Sequence, residues 1–375
     1  MIDRDLPARV LDLAVAIQQI ASPTFEEQQR GSFVQQCFLD EGLAEISRDE
    51  VGNIYGCWRG KTSQRSIVVS AHLDTVFPAS TYLSVRRSHD RITGPGIGDN
   101  SLGVAGLLGL VWLLKRTRPL NADVWLVANV GEEGLGDLRG IKAVVDRFSD
   151  GPKAYLILEG MVLGIIFHRG LGVQRFRITA RTTGGHSWVD YGRPSAIHEL
   201  ARLVTRLEEL PVPKTPEPGM PRSSYNVGVL NGGTSVNTIA AEAWLELDIR
   251  SEDEVYLAHL AEQVKTIARL SSRTGEFPVE FSVESIGRRL AGGIPSNHRL
   301  VQVARRELVE LGLVPKLDIG STDANYPLSR GYPAVCVGLT YGNGAHTLDE
   351  TIDTAPLGKG LEQVLRLVRA VDRWD

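Results

Sequence analysis

Apolar positions along the chain follow two periods. Val10, Leu13, Ala14, Ile17 and Ile20 recur at helical spacing and predict a helix over about 7–21, with a second over about 25–41. Ile67-Val68-Val69-Ser70, Val124 to Ala128 and Tyr155 to Leu158 are short unbroken apolar runs, the pattern of strands buried on both faces. Gly103 to Lys115, between the first two, reads as a buried helix. Strand, helix and strand in alternation imply an α/β sheet with a parallel part.

Near Gly172 the period changes. Val173 to Ala180 alternates apolar and polar residues, as a half-exposed antiparallel strand does. Helices over about 195–210 and 254–270 and strands near 225–230, 242–249 and 279–283 complete a small α+β set. After Gly287 the buried α/β pattern returns, with a helix near 298–311, a strand over 334–339 and a last helix over about 357–374. The expected fold is a mixed-sheet α/β domain in two segments, 1–171 and 287–375, interrupted by an inserted ferredoxin-like α+β domain over 172–286. The Pro-rich stretch 211–222 reads as a loop inside that insert.

Composition narrows the function. At about 150 residues per domain, 375 residues allow two or three. Lys and Arg number 41 against 45 Asp and Glu, a net charge of −4, so no basic excess points to nucleic acid or an anionic membrane. The longest apolar stretch, 103–114, is expected to be too short for a bilayer, and the N-terminus lacks the apolar core of a signal peptide. Cys37, Cys57 and Cys336 are far apart and form no CxxC pair, which argues against a disulfide framework and for a reducing, cytoplasmic setting.

The chemistry gathers after the apolar runs. His72 and Asp74 lie two apart, so a carboxylate can approach the imidazole and fix its tautomer. Asp99 sits in the glycine-rich run 94–103, Glu132 and Glu133 follow the 124–128 strand, and Glu159 follows the 155–158 strand. His346 lies in a glycine turn beyond the 334–339 strand. Taken singly these also read as polar loops, solvated glutamates or, for Asp99, a helix cap. Together they read as five groups (His72, Asp99, Glu133, Glu159, His346) at strand ends, where open α/β sheets bind ligands. Oxygen and nitrogen donors without thiolate suit zinc, cobalt or manganese, and five exceed one tetrahedral set, so two ions fit better. Paired ions activate water and polarise a carbonyl. A phosphate-binding reading of 94–103 lacks the Lys and Ser/Thr that phosphates require. His186, in a glycine turn of the insert, is a further candidate.

These motifs, in this order and around an insert, resemble the M20 family of dinuclear zinc peptidases and deacylases, which includes glutamate carboxypeptidase, succinyl-diaminopimelate desuccinylase, acetylornithine deacetylase and tripeptidase T. The resemblance implies that Asp99 bridges two metals, that His72 and Glu159 complete one site, and that Glu133 and His346 complete the other. It implies that Asp74 orients His72 and that the peptide after Asp99 is cis. Glu132 would be the general base, moving a proton from the attacking water to the leaving amine. The insert would be a lid and dimerisation domain, with His186 stabilising the oxyanion in a partner's site. Asn237, Arg250 and the Ser321 loop would contact substrate, Arg250 through its planar fork. The substrate would be a small peptide or an N-acyl amino acid, and the protein a homodimer. Three departures stand out: Gly131 replaces a third acid, Trp188 replaces a small residue, and residue 159 is Glu, which tilts the reading from aminopeptidase toward carboxypeptidase or deacylase. Conversely, the run 132–140 is similar to tripeptidase-like members. The alternative is a non-catalytic relative that binds a peptide or amino acid; the intact ligand set argues against it.

Overall fold

A computed structural model describes residues 5–62, 65–213, 215 and 217–374. The first four residues and part of the Pro-rich loop lie outside the described residues. The chain divides into two compact units, one of residues 1–170 with 292–375, the other of 171–291.

The first unit is built on a mixed nine-stranded sheet. Its order is Ala44–Arg48, Ile54–Trp58, Val124–Asn129, Ile67–His72, Ala154–Glu159, Ala334–Gly338, Ile165–Gly170 and Gly292–Gly293, with Lys316–Gly320 also beside Ile165–Gly170. The four apolar runs at its centre pair in parallel. Almost every residue in them is buried, as strands covered on both faces must be. Helices Asp5–Gln18, Gly103–Leu114 and Leu357–Asp372 pack on one another. The apolar stretch extends beyond the sequence expectation, because a turn at Ile97–Leu102, kinked at Asp99 and Asn100, runs into the helix. The resulting 18 residues are long and apolar enough for a bilayer, yet 94% of them are buried in the protein core, which accounts for their composition.

A second, small sheet decides where the chemistry sits. Its order is Gly342–Asn343, Thr351–Asp353, Arg91–Thr93 and Arg86–Arg87. Thr351 pairs with Thr93, so the loops at 94–99 and 344–350 leave adjacent strands. Strands of two or three residues are too short for a period-2 pattern, which is why the sequence reading passed over them.

Apart from the two-residue strands Gly185–His186 and Thr238–Ile239, which pair with each other, the second unit has the element order β-α-β-β-α-β. Its antiparallel sheet runs Ser223–Gly232, Glu242–Ser251, Gly172–Arg181, Glu280–Arg289, beneath helices Ala196–Leu207 and Glu254–Ser271. Buried and partly buried positions alternate along Glu242–Ser251, whose inner face meets Leu200, Leu203, Leu260 and Val264 in one core. The strand expected over 279–283 continues to Arg289 past an irregularity at Ser285–Gly287 that hides its period.

One buried charge supports the site from below. Arg30 is fully buried, and burial pushes its pKa down to about 10 against the pull of Asp74. Its guanidinium donates to the carbonyl oxygens of Ile20 and Leu73, fixing the backbone that carries His72 and Asp74. Arg30→Met leaves these buried acceptors unsatisfied, so unfolding free energy in urea should fall by about 3 kcal/mol. A loss under about 1 kcal/mol would show that the carbonyls find other donors.

Candidate active site

His72 ends its strand, opposite Asn129 on the neighbouring one. Its Nδ1 lies 3.0 Å from the Asp74 carbonyl oxygen, which can only accept, so Nδ1 carries a proton and Nε2 faces outward. Nε2 is 3.2 Å from Asp99 and 3.7 Å from Glu159. Burial opposes charge on His72, but Asp74, Asp99 and Glu159 hold its pKa well above the usual imidazole value.

The Asp74 carboxylate does more than face this imidazole, from which it stands 3.5 Å away. Its oxygens accept the backbone N–H groups of Glu132 and Glu133 and the Thr24 hydroxyl, each at 2.9 Å. The Glu pair is therefore held by its main chain, leaving both side chains for chemistry. Glu27 supports the same segment, accepting the Gly131 N–H and pairing with Arg139. Gly131 has φ +63°, and a Cβ there would stand 2.6 Å from the Arg139 side chain. A third acid here would be strained by the backbone and would crowd Arg139, which is consistent with the departure noted in the sequence.

Asp99 and His346 do not fall at ends of the central strands, contrary to the sequence reading. Asp99 lies in the kinked turn before the core helix, and the Asp99–Asn100 peptide is cis. His346 sits at φ +65° in the loop between Gly342–Asn343 and Thr351–Asp353. The small sheet brings both loops to the site. His346 Nε2 is 3.2 Å from Asp99 and 3.1 Å from Glu133. Asp99 and Glu133 push its pKa up to about 10. Burial would raise Asp99, but hydrogen bonds with His346 and His72 hold its carboxyl well below the usual range. Burial lifts Glu159 to about 7 against the pull of His72.

Three donor groups result: His72, Asp99 and Glu159; Asp99, Glu133 and His346; and His72, Glu132 and Glu133. In each, one ligand atom per residue lies within 4.8 Å of the others. The first two share Asp99. The donor set fits divalent cations: imidazole nitrogens and carboxylate oxygens converge, with no thiolate in any group. Such crowding of acids away from water calls for positive charge among them.

Two buried polar residues lie near the centre; Glu350 escaped the sequence reading, and Asp323 entered it only as part of the Ser321 loop. Asp323 accepts from Asn129 at 2.7 Å, behind His72 in register, and lies two residues from Ser321. Glu350 is fully buried and accepts from the Asp99 loop. Glu350 follows no apolar run, so no local signal marks it. His168, ambiguous in sequence, is buried against the Ile294 carbonyl oxygen.

The remaining candidates lie in the second unit. His186 and Asn237 are neighbours there: the Asn237 carbonyl oxygen accepts the Ser187 N–H, and His186 pairs with Thr238. His186 Nδ1 accepts the N–H groups of Trp188 and Val189, so in the neutral ring the proton sits on Nε2. Trp188 is exposed. Arg250 donates to Asp248 and lies opposite Val173, at the end of the sheet where the chain enters the unit. His186 follows the other end, where Arg181 meets Glu242. Eight residue steps along the strand separate the two ends, about 26 Å.

Comparison with known proteins agrees with this picture. The family model described as peptidase family M20/M25/M40 matches residues 68–370. Succinyl-diaminopimelate desuccinylase from Corynebacterium glutamicum is 25% identical over 352 residues, 92% of this chain and 92% of that protein. Among solved structures, a tripeptidase from Staphylococcus aureus matches with a TM-score of 0.81 at 21% identity, covering 98% of this chain and 99% of the other. A dinuclear metal-binding M20 peptidase from Bacillus subtilis matches with a TM-score of 0.69 at 16% identity, covering 98% of each chain. These two structural likenesses speak to fold. With the family match spanning most of the chain and the donor groups in place, the protein is an enzyme of peptidase family M20/M25/M40.

Proposed function

We propose that the protein is a metal-dependent amidohydrolase that cleaves an amide bond in a small peptide or an N-acyl amino acid, of carboxypeptidase or deacylase type. The observation that carries this reading is the pair of donor groups joined at Asp99. His72, Asp99 and Glu159 would hold one divalent ion, and Asp99, Glu133 and His346 the other. Zinc is favoured by the donor types, with cobalt or manganese able to substitute. Bound ions supply Lewis acidity to the amide carbonyl and lower the pKa of water. Glu132 takes a proton from the attacking water and delivers it to the leaving nitrogen. Asp74 orients His72 and, through the main chain, keeps Glu132 in reach.

His186, with its proton on Nε2, suits the developing oxyanion. We assign it to the site of a second copy, in a homodimer formed through the inserted unit. Support comes from its place in that unit, at the opposite end of the sheet from Arg250. Arg250 and Ser321 are assigned to the substrate, Arg250 to its carboxylate, and Asn237, beside His186, is assigned to the substrate in the same second-copy site. Glu at 159 and the desuccinylase relative favour a deacylase or carboxypeptidase. The unpaired thiols of Cys37, Cys57 and Cys336 support a cytoplasmic setting.

Metal analysis of the purified protein should find about two divalent ions per chain. Chelation should abolish amide hydrolysis, and zinc or cobalt should restore it. Activity that survives complete chelation would end the reading. Glu132→Gln should retain both ions and lose roughly 100- to 10,000-fold in kcat; parental turnover would remove Glu132 from its assigned role. In a screen of N-acetyl and N-succinyl amino acids, dipeptides and tripeptides, Arg250→Ala should raise KM for carboxylate-bearing substrates about tenfold or more, with kcat little changed. An unchanged KM would place Arg250 among purely structural strand residues.

A further inference from the structure

The loop that aims Asp99 has its backbone donors fully accounted for. Gly94 N–H donates to the Glu350 carbonyl oxygen at 2.8 Å, and Pro95 has no N–H. Gly96 N–H donates to Glu350 Oε2 at 3.2 Å. Ile97 N–H closes a turn onto Gly94. Gly98 and Asp99 N–H groups both donate to Glu350 Oε1, at 2.6 and 2.7 Å. Every donor from 94 to 99 that does not close the turn thus ends on one residue. Glu350 is fully buried and lies four residues after His346. Between them the chain turns back on itself, Glu350 N–H donating to the Thr347 carbonyl oxygen and Thr347 N–H to that of Gly344.

We infer that Glu350 is a positioning residue for the metal centre: its buried carboxylate ties the Asp99 loop to the His346 loop, so one side chain sets both ligands. The inference rests on the metal reading above and adds a residue to it. A carboxylate is required because three N–H groups converge on it and both oxygens must accept. An amide of the same shape offers one accepting oxygen and turns its NH2 against a backbone N–H. The effect on metal is indirect, through loop geometry. It should fall hardest on the ion of the Asp99, Glu133 and His346 group, where two of three ligands ride on the tied loops.

The test compares metal-free parent, Glu350→Gln and Glu350→Asp by calorimetric titration with Zn²⁺, with the absorption spectrum of bound Co²⁺ as a readout of ligand geometry. Glu350→Gln should keep the parental circular dichroism and bind one of two ions about 10- to 100-fold more weakly, as removal of supporting partners does elsewhere. The Co²⁺ spectrum should shift. Glu350→Asp, which keeps both acceptor oxygens, should recover part of the affinity. Two ions bound at parental affinity with a parental spectrum in Glu350→Gln would overturn the inference and leave the metal reading intact. A parent that binds no ion would overturn both. Should Glu350→Gln fail to fold, Glu350→Asp decides alone: it keeps the charge but is one methylene short, so weakened binding supports the inference and parental binding overturns it.

Discussion

Repulsion among like charges is the constraint around which this site is organised. Asp74, Asp99, Glu132, Glu133 and Glu159 crowd around two imidazoles, some fully buried. Carboxylates withdrawn from water are tolerated only where donors or cations meet them. The protein meets part of this demand with its own backbone. Asp74 is met by two main-chain N–H groups and a hydroxyl, Glu350 by three main-chain N–H groups. These two clamped acids surround the centre and leave the others facing inward toward the imidazoles. Division of labour between clamped and inward-facing acids is what makes the arrangement suited to cations.

The fold supplies this division through two kinds of element. His72 and Glu159 stand on parallel strands buried on both faces, so their positions follow from a sheet that cannot shift without opening the core. Asp99 and His346 arrive on loops, which are intrinsically looser. A small sheet and a single glutamate restrain those loops. Rigid and tethered ligands meet at Asp99, which touches an imidazole of each kind.

Much of this was legible in the sequence, and the reasons are specific. Fully buried strands declare themselves as apolar runs, and acids that directly follow them are conspicuous. That is enough to single out His72, Glu132, Glu133 and Glu159, which the structure brings together. Asp99 and His346 were found through glycine-rich turns and family resemblance, but their setting was misread, because strands such as Arg91–Thr93 and Thr351–Asp353 are too short to leave a periodic trace. Glu350 and Thr24 were missed altogether. Their partners lie 251 and 50 residues away, and no spacing rule reaches across such separations. Asp74 is expected to serve His72, and its shortest contacts run to the Thr24 hydroxyl and to two main-chain groups that sequence cannot place.

The pairing of Gly170 with Gly292 makes the inserted unit separable in principle. The chain leaves the central sheet at one of these residues and returns at the other, so the ends of the 121-residue excursion, Leu171 to Ala291, are anchored side by side on antiparallel strands. Closing that gap needs only a tight turn of the kind that joins any hairpin. The excursion could therefore be removed and its ends joined without altering the register of the strands that flank it.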